Sequence, residues 1–195
     1  MLNLLPARER RPTPWKNGQG WTTEIAIHPP GAGLDRFDWR ASIAEVAVSG
    51  PFSSFPGLDR WLAVLEGAMT LVIDGAAPLA LDAGAEPARF PGDVPVWAEV
   101  RSGPVRDLNI MTARGRVAAD IRRLQLEPGV PLRLAAADEM LLVCLSGEVR
   151  IGIDDGASAA LGELDAVLVT GAAGGLVEAS APARLIAAGF TRAAG

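Results

Sequence analysis

Asp107, Asn109 and Met111 alternate with Leu108 and Ile110. On an extended strand such alternation sends the two sets to opposite faces. Asp107 and Asn109 then point together, either into a polar cavity or onto an ordinary hydrogen-bonded solvent face. Arg40 and Ser42 share a parity in the same way, as do Thr22 and Glu24. Arg40 carries a rigid guanidinium fork that suits Asp107, a bound carboxylate or a structural ion pair. Lys16-Asn17-Gly18-Gln19-Gly20 is rich in glycine but lacks the Gly-Lys-Ser/Thr ending of a phosphate loop, and no helix follows. It either crosses a cavity mouth with Lys16 and Asn17 toward a ligand, or forms a tight turn packed by Trp15 and Trp21. Arg60 follows the loop Gly50-Pro-Phe-Ser-Ser-Phe-Pro-Gly57 and is expected to open a strand facing the cavity. Phe52 and Phe55 are expected to plug one end, while Trp39, Trp61 and Trp97 either line the pocket or belong to the core.

Several chemistries lack their residues. His28 is the single histidine and precedes Pro29-Pro30. A histidine-rich metal site therefore cannot be assembled, and no dense Asp/Glu cluster suits a hard cation. Neither a metal nor a cofactor is expected. A Ser/His/Asp triad would have to use His28, and no nucleophile-elbow signature frames any serine. No catalytic residue is assigned; in an enzyme, Glu24 and Asp107, helped by Lys16, would be the acid–base groups, provided they converge. Cys144 is the lone cysteine and lies in an apolar run, which reads as a buried small hydrophobe.

The elements that must position these side chains are strands. Apolar residues make up 49% of the 195 and the net charge is -5, so a packed core is expected. The acidic balance argues against nucleic acid or a polybasic membrane contact. Gly, Pro, Asp or Ser interrupts the apolar runs every eight to twelve residues, the pattern of a sandwich or barrel. The strands expected before the midpoint are Thr23–His28, Trp39–Val48, Trp61–Glu66, Met69–Ile73, Pro78–Leu81, Val94–Val100 and Val105–Met111. After it come Ile121–Leu126, Met140–Leu145, Glu148–Ile153, Ala166–Val169, Gly175–Ala179 and Ala183–Ala188. Leu62–Asp74 reads like Leu142–Asp154 with turns at Gly67 and Gly147, which suggests duplication of one unit. A join between Met111 and Ile121 divides the chain into residues 1–115, with the polar residues, and residues 116–195, mainly structural. No stretch of 18 apolar residues is present and Met1–Pro6 is too short for a leader, so a cytoplasmic protein is expected.

The turn–strand pattern resembles cupins, and more closely the HutD/Ves family of bicupin-like proteins. The resemblance rests on Pro14-Trp-Lys-Asn-Gly-Gln-Gly-Trp-Thr-Thr-Glu24, Phe37-Asp-Trp-Arg-Ala-Ser42, the Gly50–Gly57 loop, Phe90-Pro-Gly-Asp93 and Asp107-Leu-Asn-Ile-Met111. Gln19 departs from the run of glycines usual in the first motif. The resemblance implies an all-β fold of two tandem cupin-like jelly-roll β-barrels and a link to histidine utilisation. Catalytic cupins hold a metal with three His and a Glu, which this chain cannot supply. The expectation is a metal-independent protein that grips a small carboxylate or amide metabolite with Lys16, Asn17, Glu24, Arg40, Ser42, Arg60, Asp107 and Asn109. The alternative is a metal-independent isomerase or lyase. A homodimer is compatible with exposed strand edges.

Overall fold

The computed structural model describes residues 1–15, 18, 20–171 and 174–193. Its single helix among these is one 3-10 turn, Ala7–Glu9. The first half runs β1 (Leu2–Leu5), β2 (Pro12–Pro14), β3 (Gly20–His28), β4 (Trp39–Val46), β5 (Gly50–Pro51), β6 (Leu58–Glu66), β7 (Ala68–Ile73), β8 (Leu79–Asp82), β9 (Ala88–Pro91), β10 (Val96–Val100) and β11 (Val105–Ala113). It continues with β12 (Val117–Leu126), β13 (Leu132–Leu134), β14 (Glu139–Ser146), β15 (Val149–Ile153), β16 (Ser158–Leu161), β17 (Ala166–Thr170), β18 (Gly175–Glu178) and β19 (Ala183–Arg192).

The chain divides into two compact units, Arg11–Val117 and a second built from Met1–Arg10 with Ala118–Gly195. The later division falls one residue into β12, just after the tight turn that follows β11. The first ten residues differ from the 1–115 boundary read from sequence. β1 pairs antiparallel with β17, Ala7 N–H donates to Asp165 Oδ1, and Arg10 donates to the carbonyls of Leu164 and Leu5.

The first unit holds a six-stranded sheet, β2-β3-β4-β11-β6-β9, and a four-stranded sheet, β5-β10-β7-β8. The second holds β1-β17-β14-β19-β12 and β13-β18-β15-β16. Adding eight to each strand of β4-β11-β6-β9 gives β12-β19-β14-β17, and adding eight to β5-β10-β7-β8 gives β13-β18-β15-β16. The 80-residue sequence repeat is thus a duplication of an eight-stranded unit in which every pairing recurs. Each unit has one core between its two sheets. In the first, Val46, Leu62, Val64 and Phe90 meet Met69, Leu71, Val96 and Ala98. In the second, Met140, Leu142, Val167 and Leu185 meet Val149, Ile151, Leu161 and Val177.

No sheet closes on itself, so of the expected pair of tandem jelly-roll β-barrels the structure shows an all-β unit of two facing sheets in each half. The reason lies at the corners. β6 and β7 belong to different sheets, and the chain passes between them at Gly67 (φ 80°) rather than through a hydrogen-bonded hairpin. Gly147 (φ 81°) makes the same corner between β14 and β15, where an added Cβ would sit 2.8 Å from Ala183 Cβ. Glycine is required there by both backbone and space.

Candidate functional site

The antiparallel register places the chemistry-bearing side chains in adjacent rows of the six-stranded sheet. Asp107 lies opposite Ala44 on β4 and Val64 on β6, and Asn109 lies opposite Ser42 and Leu62. Met111 lies opposite Arg40 and Arg60, and Arg60 opposite Phe90 on β9. Glu24 on β3 lies opposite Ser42. Residues opposite one another share a face. Val46, Leu62, Val64 and Phe90 pack in the core between the sheets, so this is the inner face of the first unit. The reading of Asp107 and Asn109 as an inward-pointing pair therefore holds over the solvent-face alternative: they are 0% and 7% exposed.

This polar face lacks internal partners. Among the described residues, both carboxylate oxygens of Asp107, the Asn109 Oδ1 and the Arg60 Nε are buried with no hydrogen-bond partner. Leaving one buried polar group unmade costs about 1–3 kcal/mol, more for charged groups. Arg60 is 4% exposed. Its guanidinium stands 5.1–5.3 Å from the ring centres of Phe52, Phe55 and Phe90, and Nη1 donates to the Ser53 carbonyl at 3.2 Å. Three aromatic faces fix the plane of a cation that is shielded from water. Burial pushes the Asp107 carboxyl up to about 7, and the Arg60 charge only partly offsets this. Burial pulls Arg60 down to about 10, against the field of Asp107. The two groups thus feel each other without forming an ion pair.

The second unit performs a natural control on this face. Arg60 corresponds to Met140 by the 80-residue offset. Met140 pairs with Gly189, Leu142 with Ala187 and Cys144 with Leu185, so Asp107 corresponds to Leu185 and Asn109 to Ala187. The fold that carries Arg, Asp and Asn in one copy is built with Met, Leu and Ala in the other. The polar set is therefore not what the scaffold needs at these positions. Cys144, also on this face, is fully buried, and burial pushes its thiol up to about 11.

The remaining sequence expectations divide. Arg40 does not pair with Asp107. Its Nε donates to Glu24 Oε2 at 2.9 Å and its Nη1 lies 3.5 Å from Ser42 Oγ. Arg40 is mostly buried while Glu24 is half exposed, so this pair sits at the rim and the cation facing Asp107 is Arg60. Glu24 and Asp107 do not share a proton, because the Asp107 oxygens have no partner. Lys16 and Asn17 lie outside the described residues. Trp39 and Trp61 are buried on the opposite face of the six-stranded sheet, Trp39 stacked on His28 and Trp61 beneath Arg89. Trp97 is 46% exposed; on β10 it alternates with the inward Val96 and Ala98, so it faces away from the core. Phe90 completes the Arg60 cradle, a role that sequence reading missed although the β6–β9 register would have supplied it.

The donor set does not fit the metal of catalytic cupins. The inward positions hold two guanidiniums, an amide, a hydroxyl and one buried carboxylate, and no group of three or more His, Cys, Asp or Glu converges among the described residues. A recess of about 380 Å³, lined by Asp138, Glu139, Thr170, Gly171 and Arg192, belongs to the second unit. There the Arg192 N–H donates to Asp138 Oδ2. It holds none of the orphaned polar atoms.

Fold and site together define an all-β cupin-fold protein with a polar inner face in one copy only. The HutD family profile matches residues 7–187, and the chain belongs to that family. It is 38% identical over 156 residues to an uncharacterised 21.2 kDa protein of the hutC 3′ region of Pseudomonas putida, covering 78% of each chain. A shorter match, 38% over 109 residues, links it to protein Ves of Cronobacter sakazakii and spans 59% of that relative. Among solved structures, a conserved protein of unknown function from Pseudomonas aeruginosa PAO1 superimposes with a TM-score of 0.90 at 34% identity, covering 98% of this chain and 99% of that one. HutD from Pseudomonas fluorescens SBW25 superimposes with a TM-score of 0.83 at 30% identity, with the same coverage. A cupin 2 conserved barrel domain protein from Leptotrichia buccalis, 12% identical with a TM-score of 0.61 over 95% of this chain and 99% of that one, shares the fold alone.

Proposed function

We propose that the chain is a metal-independent binding protein for a small carboxylate or amide metabolite, held on the inner face of the first unit and serving regulation of histidine utilisation. One observation carries the reading. Both Asp107 oxygens, the Asn109 Oδ1 and the Arg60 Nε are buried without hydrogen-bond partners where Leu185, Ala187 and Met140 do the structural job in the second copy. Buried polar atoms without partners are costly, and a ligand that supplies the missing partners recovers that cost on binding. On this reading each eight-stranded repeat acts as a cupin-type jelly roll, the first binding and the second supporting it. The hutC-region relative supports the pathway part of the proposal.

The test is calorimetric titration of the full chain with urocanate, formiminoglutamate and simple carboxylates. Saturable binding at one site per chain is expected. No heat at stoichiometric protein concentrations overturns the proposal.

A second reading draws on the position of the Asp107 titration. A carboxyl that changes charge near pH 7 is suited to general acid–base work, and a metal-independent isomerase or lyase would use it. Turnover of a bound metabolite that disappears in Asp107→Asn would favour this reading over simple binding.

A further inference from the structure

The unpartnered atoms are sorted by type along the inner face. At the Asp107 end all three are acceptors: the two carboxylate oxygens and the Asn109 Oδ1. Their neighbours across the strands, Ala44, Val64 and Leu62, have no side-chain donors, and the Ser42 hydroxyl lies against Arg40. At the other end the orphan is a donor, the Arg60 Nε–H. Arg60 cannot swing freely to meet Asp107, because its plane is packed by Phe52, Phe55 and Phe90 and Nη1 is held by Ser53.

We infer that the site takes a short zwitterion in one orientation, with a nitrogen head bearing at least two N–H donors on Asp107 and Asn109 and a carboxylate on Arg60. The inference rests on the binding reading above and narrows its ligand class. A carboxylate alone would satisfy Arg60 and leave three buried acceptors empty. A cationic head restores the charge balance that burial denies to Asp107. Size follows from register. Asp107 and the Arg60 level stand four residues apart along β11, about 13 Å of strand. The two ends of the site therefore lie within a few residues of one another on the same sheet face, which suits a short ligand.

Three probes separate the parts: 3-guanidinopropionate has both ends, pentanoate has the carboxylate alone, and methylguanidine has the head alone. Titrated into the full chain by calorimetry, 3-guanidinopropionate is expected to bind at least tenfold more tightly than either single-ended probe. Asp107→Asn is expected to collapse its advantage over pentanoate toward one. Asn109→Ala should reduce the same ratio more modestly, and it guards against a folding failure of the first variant, with near-ultraviolet circular dichroism checking both. Pentanoate binding as tightly as 3-guanidinopropionate, or a preference unchanged by both variants, overturns the inference and leaves the binding reading standing. No heat from any of these probes or from the metabolites above refutes the binding reading and the inference together.

Discussion

Replacing the polar set of the first unit with its counterparts in the second, Arg60→Met, Asp107→Leu and Asn109→Ala, should raise stability. Removing buried charges in favour of packed apolar groups is typically neutral or stabilising by about 1–4 kcal/mol. Asp107 supplies a pH signature that isolates its share. Its folded pKa, about 7, lies above the ordinary aspartate value of 3.8. The folded state therefore keeps its full stability below about 3.8 and loses it as pH rises toward 7, at about 1.4 kcal/mol per pH unit. The total is on the order of 4 kcal/mol. Asp107→Asn removes this titration, so the difference between wild type and Asp107→Asn should grow in favour of the variant from pH 4.5 to 8. Urea unfolding followed by tryptophan fluorescence reports on the right unit, because Trp15, Trp21, Trp39, Trp61 and Trp97 all lie within Arg11–Val117. A triple variant less stable than wild type at pH 8, or an unchanged pH profile in Asp107→Asn, would show that these buried polar groups do not cost the fold stability.

Other outcomes follow from the same geometry. The Cys144 thiol should resist a disulfide reagent in the native protein at pH 8 and react promptly in urea, since it is fully buried with its pKa pushed to about 11; native reactivity would contradict its placement. Gly147→Ala should cost at least about 2 kcal/mol more than Gly75→Ala. Both positions have positive φ, but only Gly147 has neighbours within 3 Å of an added Cβ; equal far-ultraviolet dichroism melts would contradict this. Removing residues 1–5 should lower the unfolding midpoint of the second unit, because β1 covers the edge of β17; an unshifted far-ultraviolet dichroism midpoint would contradict this.

Much of the site was legible because strands obey a period of two. Asp107 and Asn109, Arg40 and Ser42 could be put on common faces from parity alone. The repeat was legible because Gly67 and Gly147 mark the same corner. Pairings were not legible, since register is set between strands and not along them. Of the partners open to Arg40, Asp107 drops out for that reason and the structural ion pair is found with Glu24, while Arg60, on the other neighbouring strand, supplies the charge near Asp107. Short strands such as Ala88–Pro91, Leu132–Leu134 and Ser158–Leu161 carry too few alternations to register as strands. The pairing of Leu2–Leu5 with a strand more than 160 residues away is non-local and leaves no local trace.

A crystal structure of the full chain soaked with urocanate and 3-guanidinopropionate decides whether the inner face of the first unit binds a ligand. Ligand density is expected on the inner face of the first unit, touching Asp107, Asn109 and Arg60, with none beside Met140, Leu185 and Ala187. Density elsewhere with the Asp107 carboxylate still unpartnered, or equal occupancy of both units, would contradict this expectation.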